Sequence, residues 1–143
     1  MAKFETFEDI VAWQKTRALN IEIYTASNNG SFSKDYALKD QMRRAAISIV
    51  SNIAEGFERR TKQEFIHFLS IAKASCGELR AQLYIALDLK YISEEEFKKL
   101  HSIALEISKM IGGLMGYLKE YNSSDNIKSV NEPEVQYISN LEN

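Results

Sequence analysis

Proline occurs once in this chain, at position 133, and glycine only six times, so nothing between Met1 and Glu132 forbids long helices. A β-rich fold of 143 residues needs denser turn punctuation than this. The helix starts are written in the sequence. Thr6 to Asp9, Thr61 to Glu64 and Ser93 to Glu96 each have a hydroxyl residue followed three positions on by an acid. In that spacing the hydroxyl accepts from a free N–H of the first turn, and the carboxylate reaches back to the cap's own N–H. Ser33 marks a fourth start, with Asp35 in the first turn to suit the helix dipole.

These signals predict helices over about Phe7–Ala26, Lys34–Phe57, Lys62–Leu89 and Glu94–Tyr121. Asn28-Asn29-Gly30-Ser31 ends the first, and Gly56 lies near the end of the second. The connections are short, so consecutive helices run antiparallel, as in an up-down four-helix bundle. Phe65, Leu69, Ala72, Cys76, Leu79, Leu83 and Ala86 give helix three a packed seam at 3,4 spacing. Leu100, Ile103, Ile107, Ile111 and Leu114 do the same for helix four. Gly112, Gly113 and Gly116 in its last turns read as close packing or fraying. Trp13, Leu38, Ile49, Ile53, Phe65, Leu69, Leu83, Ile103 and Ile107 are the expected core. Residues 1–121 form the expected bundle. Residues 122–143 form a polar tail of little regular structure and charge −3, leaving +1 on the body.

Helix two carries more apolar surface than a bundle needs. Leu38, Met42, Ala45, Ile49 and Ile53 make one stripe, and Ala46, Val50, Ala54, Phe57, Ile47 and Tyr36 extend it past half the circumference. A bundle helix needs an apolar arc of about 100°. The excess, with Tyr36, Ile47, Val50 and Ala54 at its outer edge, is the expected contact with a second copy. The remaining arc carries Gln41, Arg44, Ser48, Asn52 and Glu55, within about 80° of one another at 100° per residue. This stripe reads as a polar seam between helices, a solvated face or a ligand site. Arg44 and Glu55 stand too far apart on one helix to pair, which leaves Glu78 and Arg80 of helix three as candidate partners.

Few patterns of catalytic or metal chemistry occur. Glu64-Phe65-Ile66-His67 is one Glu-x-x-His motif where a di-iron bundle uses two, and Glu64 doubles as the capping residue of helix three. Cys76 lies on an apolar stripe, as a small core residue does, and a lone cysteine excludes an internal disulfide. There is no phosphate loop, catalytic triad or cofactor motif. The reading is therefore a non-catalytic protein with no cofactor, metal or small-molecule substrate. The start of the chain has no apolar signal region and no run of 18 apolar residues occurs, so a cytoplasmic setting away from membranes is expected.

The net charge of −2 and pI near 5.8 disfavour a generic polyanion binder, yet the bases are unevenly spread. Nine bases against six acids give +3 from Lys34 through Arg80. Arg59, Arg60 and Lys62 cluster at the second turn, and Lys39 and Arg43 lie one turn apart on helix two. Such groups suit phosphate contacts, and a ring of copies would repeat them.

Several runs carry a family likeness: Ala12-Trp13-Gln14, Gln41-Met42-Arg43-Arg44-Ala45-Ala46-Ile47-Ser48-Ile49, Ser51-Asn52-Ile53-Ala54-Glu55-Gly56, Phe68-Leu69-Ser70-Ile71-Ala72 and Gly77-Glu78-Leu79. Together they resemble the 23S ribosomal RNA intervening-sequence protein family over about Phe4 to Tyr121, with Asn-Ile-Ala-Glu-Gly the most specific run. The resemblance implies an up-down four-helix bundle assembled as a homopentamer. A related branch, the accessory variability determinant proteins of diversity-generating retroelements, is a basic pentamer that binds nucleic acid and a reverse transcriptase. This chain departs from that branch in its acidic pI. Two tasks stay open: binding RNA, DNA or a ribonucleoprotein through Lys39, Arg43, Arg59, Arg60 and Lys62 on one exposed face, or serving as a protein-interaction scaffold without nucleic acid.

Overall fold

A computed structural model describes residues 4–120. The acidic tail therefore lies outside the described residues. Four α-helices make up the described chain: α1 (Val11–Ser27), α2 (Tyr36–Glu58), α3 (Lys62–Asp88) and α4 (Glu94–Glu120). Each packs on its neighbour in sequence, and α1 closes the ring against α4. This is an all-α, up-down four-helix bundle.

The helix starts follow the caps closely. Thr61 Oγ1 accepts from Glu64 N at 3.2 Å, and Ser93 Oγ accepts from Glu96 N at 3.1 Å while the Glu96 carboxylate takes Ser93 N in return. Two starts differ from the sequence reading. The first helix is broken at Ile10, whose φ of −76° and ψ of 118° are extended, after a 3-10 turn over Phe7–Asp9. The break lets Phe4 and Ile10 both enter the core, Phe4 edge-on to Phe57 at 6.2 Å. The second correction is that Asp35, not Ser33, caps α2, accepting from Leu38 N at 3.1 Å. Ser33 belongs to a 3-10 turn over Gly30–Lys34 that buries Phe32 and stacks it on Tyr91 at 5.1 Å. In both places an aromatic anchor overrides the continuous helix that local propensity favours.

The expected core is buried at Leu38, Ile49, Ile53, Phe65, Leu69, Leu83 and Ile107. Trp13 and Ile103 are half-buried and pack against it. Trp13 meets Phe7 edge-on at 5.0 Å and keeps its outer face for Arg17. At the far end of α3, Tyr91 N donates to Ala86 O and Lys90 N to Leu87 O, with Lys90 at φ 61°. That is the paired bond set of a Schellman ending, with lysine where glycine is the usual residue.

The glycines of α4 do not end it. Gly113 is buried, whereas a Cβ added at exposed Gly116 meets nothing within 4 Å. Gly116→Ala therefore removes a backbone-entropy cost without a clash, and thermal melts should show about 0.5–1 kcal/mol of added stability.

Candidate functional site

The α2–α3 seam is held by small polar groups. Ser48 Oγ and Ser75 Oγ share a hydrogen bond of 2.8 Å. Asn52 Nδ2 donates to Ser48 O at 2.8 Å and to Ser48 Oγ at 3.0 Å. Four residues along from Asn52, Gly56 lets the helices close, because a Cβ there would stand 2.8 Å from Phe68 Cβ and 3.0 Å from Phe65 Cδ1. The Asn52–Gly56 run is thus a packing device for α2 on α3. The charged members of the predicted seam go elsewhere. Glu55 pairs with Arg59 at 2.7 Å, and Glu78 accepts from Gln82 Nε2 at 3.3 Å. Gln41 and Arg44 are exposed with no hydrogen bond or ion pair among the described residues. Arg80 is not on this side of α3, since it lies about 140° around the helix from Ser75, which faces Ser48.

The five basic residues singled out from the sequence fall into two groups. Lys39 and Arg43 lie near the start of α2, and Arg59, Arg60 and Lys62 at the α2–α3 turn. From Arg43 to Arg59 is sixteen residues, about 24 Å along the helix axis. Lys39 Nζ donates to Ser33 O at 3.1 Å and sits 4.7 Å over the Tyr36 ring. Arg43 Nε donates to Ser27 Oγ at 2.9 Å, with its guanidinium 4.3 Å over Tyr24. Arg59 bonds Glu55, stands 3.9 Å from Glu64 and covers Phe68 at 5.0 Å. Arg60 is exposed and makes no ion pair among the described residues.

The outer face of α1 and α2 is the more organised surface. Tyr36, Ile47, Val50 and Ala54 lie within about 60° on α2, with Tyr36 68% and Ile47 43% exposed and the other two half-buried. Arg17, Ile21 and Tyr24 of α1 occupy a sector of similar width. Arg43 bridges the two helices. Arg17 lies over Trp13 at 6.0 Å, so three cation–aromatic pairs border exposed Ile21 and Ile47. Sequence reading found the α2 half of this face. It missed Arg17, Ile21 and Tyr24, whose signal was an apolar residue, Ile21, on the side of α1 away from its core stripe.

The residues with possible redox or metal chemistry are structural in placement. Cys76 is fully buried, and burial pushes its thiol pKa up to about 12. A thiol reagent near pH 8 should leave Cys76 untouched in the native protein and modify it fully in denaturant. Glu64 donates its N–H to the Thr61 cap of α3 and turns its carboxylate toward Arg59, 3.9 Å away, and His67 meets Phe68 edge-on at 5.2 Å. Among the described residues, no three His, Cys, Asp or Glu side chains are grouped to hold a metal ion. No helix of the described residues is long and apolar enough to cross a membrane.

A search of curated proteins gives no match. Among solved structures, a protein of unknown function from the S23 ribosomal protein family of Bacteroides thetaiotaomicron superposes with a TM-score of 0.67 at 23% identity, covering 73% of this chain and 97% of that one. At that identity the likeness speaks for the fold. The family model described as 23S rRNA-intervening sequence protein matches residues 8–113, which takes in all of α1, α2 and α3 and most of α4. The chain belongs to the 23S rRNA-intervening sequence protein family.

Proposed function

We propose that the protein is a non-catalytic module that assembles from copies of itself through the outer face of α1 and α2. The observation that carries this is the exposed set Ile21, Tyr24, Tyr36 and Ile47, bordered by Arg17, Lys39 and Arg43 lying on aromatic rings. Aromatic and arginine side chains around an apolar centre are the composition of a protein–protein contact. A soluble monomer has little reason to hold such a patch in water. Five copies is the number that the family resemblance implies. Light scattering tests the reading: the expected mass is about five times the 16.4 kDa of one chain, and a monomer at micromolar concentration overturns it.

For the partner of that assembly, the engagement of Lys39, Arg43 and Arg59 inside the subunit favours a protein-interaction scaffold over phosphate contacts at those three positions. Arg60, exposed at the α2–α3 turn, remains the member of the set best placed to meet RNA or DNA.

A further inference from the structure

The side of the bundle formed by α3 and α4 has a different character. Between Lys73 and Tyr84 the one acid is Glu78, which bonds Gln82. On a helical projection Glu78 lies more than 100° away from Lys73, Arg80 and Tyr84. Between Phe97 and Lys109 the one acid is Glu106, bound to Lys15 of α1. Within these stretches the facing sectors of α3 and α4 hold no carboxylate, and the nearest acids on the same faces are Asp88, one turn beyond Tyr84, and Glu94, one turn before Lys98. They do hold Lys73, Arg80 and Lys98, and none of the three makes an ion pair among the described residues.

Arg80 is the centre of this strip. Its Nε is buried and has no acceptor among the described residues. A buried charged donor without a partner is costly, and a native structure normally supplies one. Tyr84 stands one turn along α3 from Arg80, and its ring meets those of Phe97 and His101, each pair 4.8–5.4 Å apart, with Tyr84 51% exposed. Burial, and then the charge of Arg80, hold the His101 pKa below its ordinary value. The strip thus combines unpaired cations, an orphaned guanidinium N–H and an accessible aromatic ring. A positive track beside aromatic rings is how single-stranded nucleic acid is held without sequence readout. Stacking on Tyr84 requires an unpaired base, which a single strand offers and a duplex does not.

We propose that the α3–α4 face, centred on Arg80 with Lys73, Lys98, His101 and Tyr84 on the same strip, binds the phosphate backbone of a single-stranded polynucleotide. Each subunit carries the whole face, so the inference goes beyond the assembly reading and does not depend on it. An assembly repeats the face and raises avidity.

The test is fluorescence anisotropy with a labelled polyuridine oligonucleotide at about 50 mM and about 200 mM salt, the range over which phosphate contacts weaken steeply. The full chain is compared with Arg80→Ala, Tyr84→Ala and Lys34→Ala, the last removing one exposed positive charge outside α3 and α4. Circular dichroism and light scattering on the same samples read fold and assembly separately. The expected result is salt-sensitive binding by the parent, weakened about tenfold by Arg80→Ala and by Tyr84→Ala, and little changed by Lys34→Ala. The His101 pKa, followed by NMR, should rise when the oligonucleotide neutralises Arg80, a shift that a merely structural arginine would not give. Absence of binding at low salt, with assembly intact, overturns this inference and leaves the assembly reading standing. Equal losses from Arg80→Ala and Lys34→Ala overturn the placement of the site. Competition by polyglutamate as strong as by unlabelled polyuridine overturns the polynucleotide assignment in favour of an acidic protein partner.

Discussion

Replacing Gly56 with alanine should lower the melting temperature by about 6 °C while leaving the four-helix far-UV spectrum in place. The added Cβ would fall 2.8 Å from Phe68 Cβ, 3.0 Å from Phe65 Cδ1 and 3.3 Å from Phe65 O. Two of these atoms are fixed to the α3 backbone, and the third belongs to a fully buried ring packed against Phe57 at 6.0 Å. None can swing away as the end of a flexible chain could, so α2 and α3 must part. Overpacking of this kind costs about 1–3 kcal/mol, and with rigid neighbours the upper value applies. The better helix propensity of alanine, worth about 1 kcal/mol, opposes the clash and leaves about 2 kcal/mol of net destabilisation. At about 3 °C per kcal/mol for a domain of this size, that gives the stated shift. Gly116→Ala is the matched control, since the same chemical change there meets open space and should stabilise. An unchanged melt for Gly56→Ala would mean that α2 and α3 do not approach as closely as described.

The Gly56 contact shows where sequence reading stops. Gly56 could be read as a residue near the end of α2, but its role depends on which α3 residues lie opposite. That register is fixed by Ser48 meeting Ser75, twenty-seven residues away. The helix number, order and most boundaries were legible because capping is local: Thr61 and Ser93 declare their helices within four residues. The break at Ile10 and the 3-10 turn around Phe32 were not legible, because their cause is long-range burial of an aromatic ring. The polar seam was half legible. Ser48 and Asn52 stood out by angle, whereas Arg44 and Glu55 looked like members until Arg59, one turn beyond Glu55, took its carboxylate.

The basic positions illustrate a different limit. Density of charge along the chain selected Arg59, Arg60 and Lys62, yet Arg59 lies within reach of two carboxylates. The less conspicuous Arg80 has no partner for its buried Nε among the described residues. Plotting acids and bases around α3 and α4, instead of counting them in runs, would have shown Lys73 and Arg80 on a sector whose nearest carboxylates, Asp88 and Glu94, lie only at its end by the α3–α4 turn.

The second large effect concerns assembly. Ile47→Asp places a carboxylate in the middle of the proposed contact, on a side chain that is 43% exposed in the single subunit. In the free subunit the charge stays hydrated, so helix content and melting cooperativity should survive. In an assembled contact it would be desolvated without a partner, at a cost of several kcal/mol at each copy of the interface. The expected product is a folded monomer. Ile85→Asp makes the same change at a 47% exposed isoleucine on α3, outside the α1–α2 face, and should leave assembly unaltered. Analytical ultracentrifugation of the parent, Ile47→Asp and Ile85→Asp at equal micromolar concentration is the most direct test of the central claim. The account expects the parent and Ile85→Asp to sediment at about five times 16.4 kDa and Ile47→Asp at 16.4 kDa. A monomeric parent, or an Ile47→Asp variant that keeps the parent's mass, would contradict it.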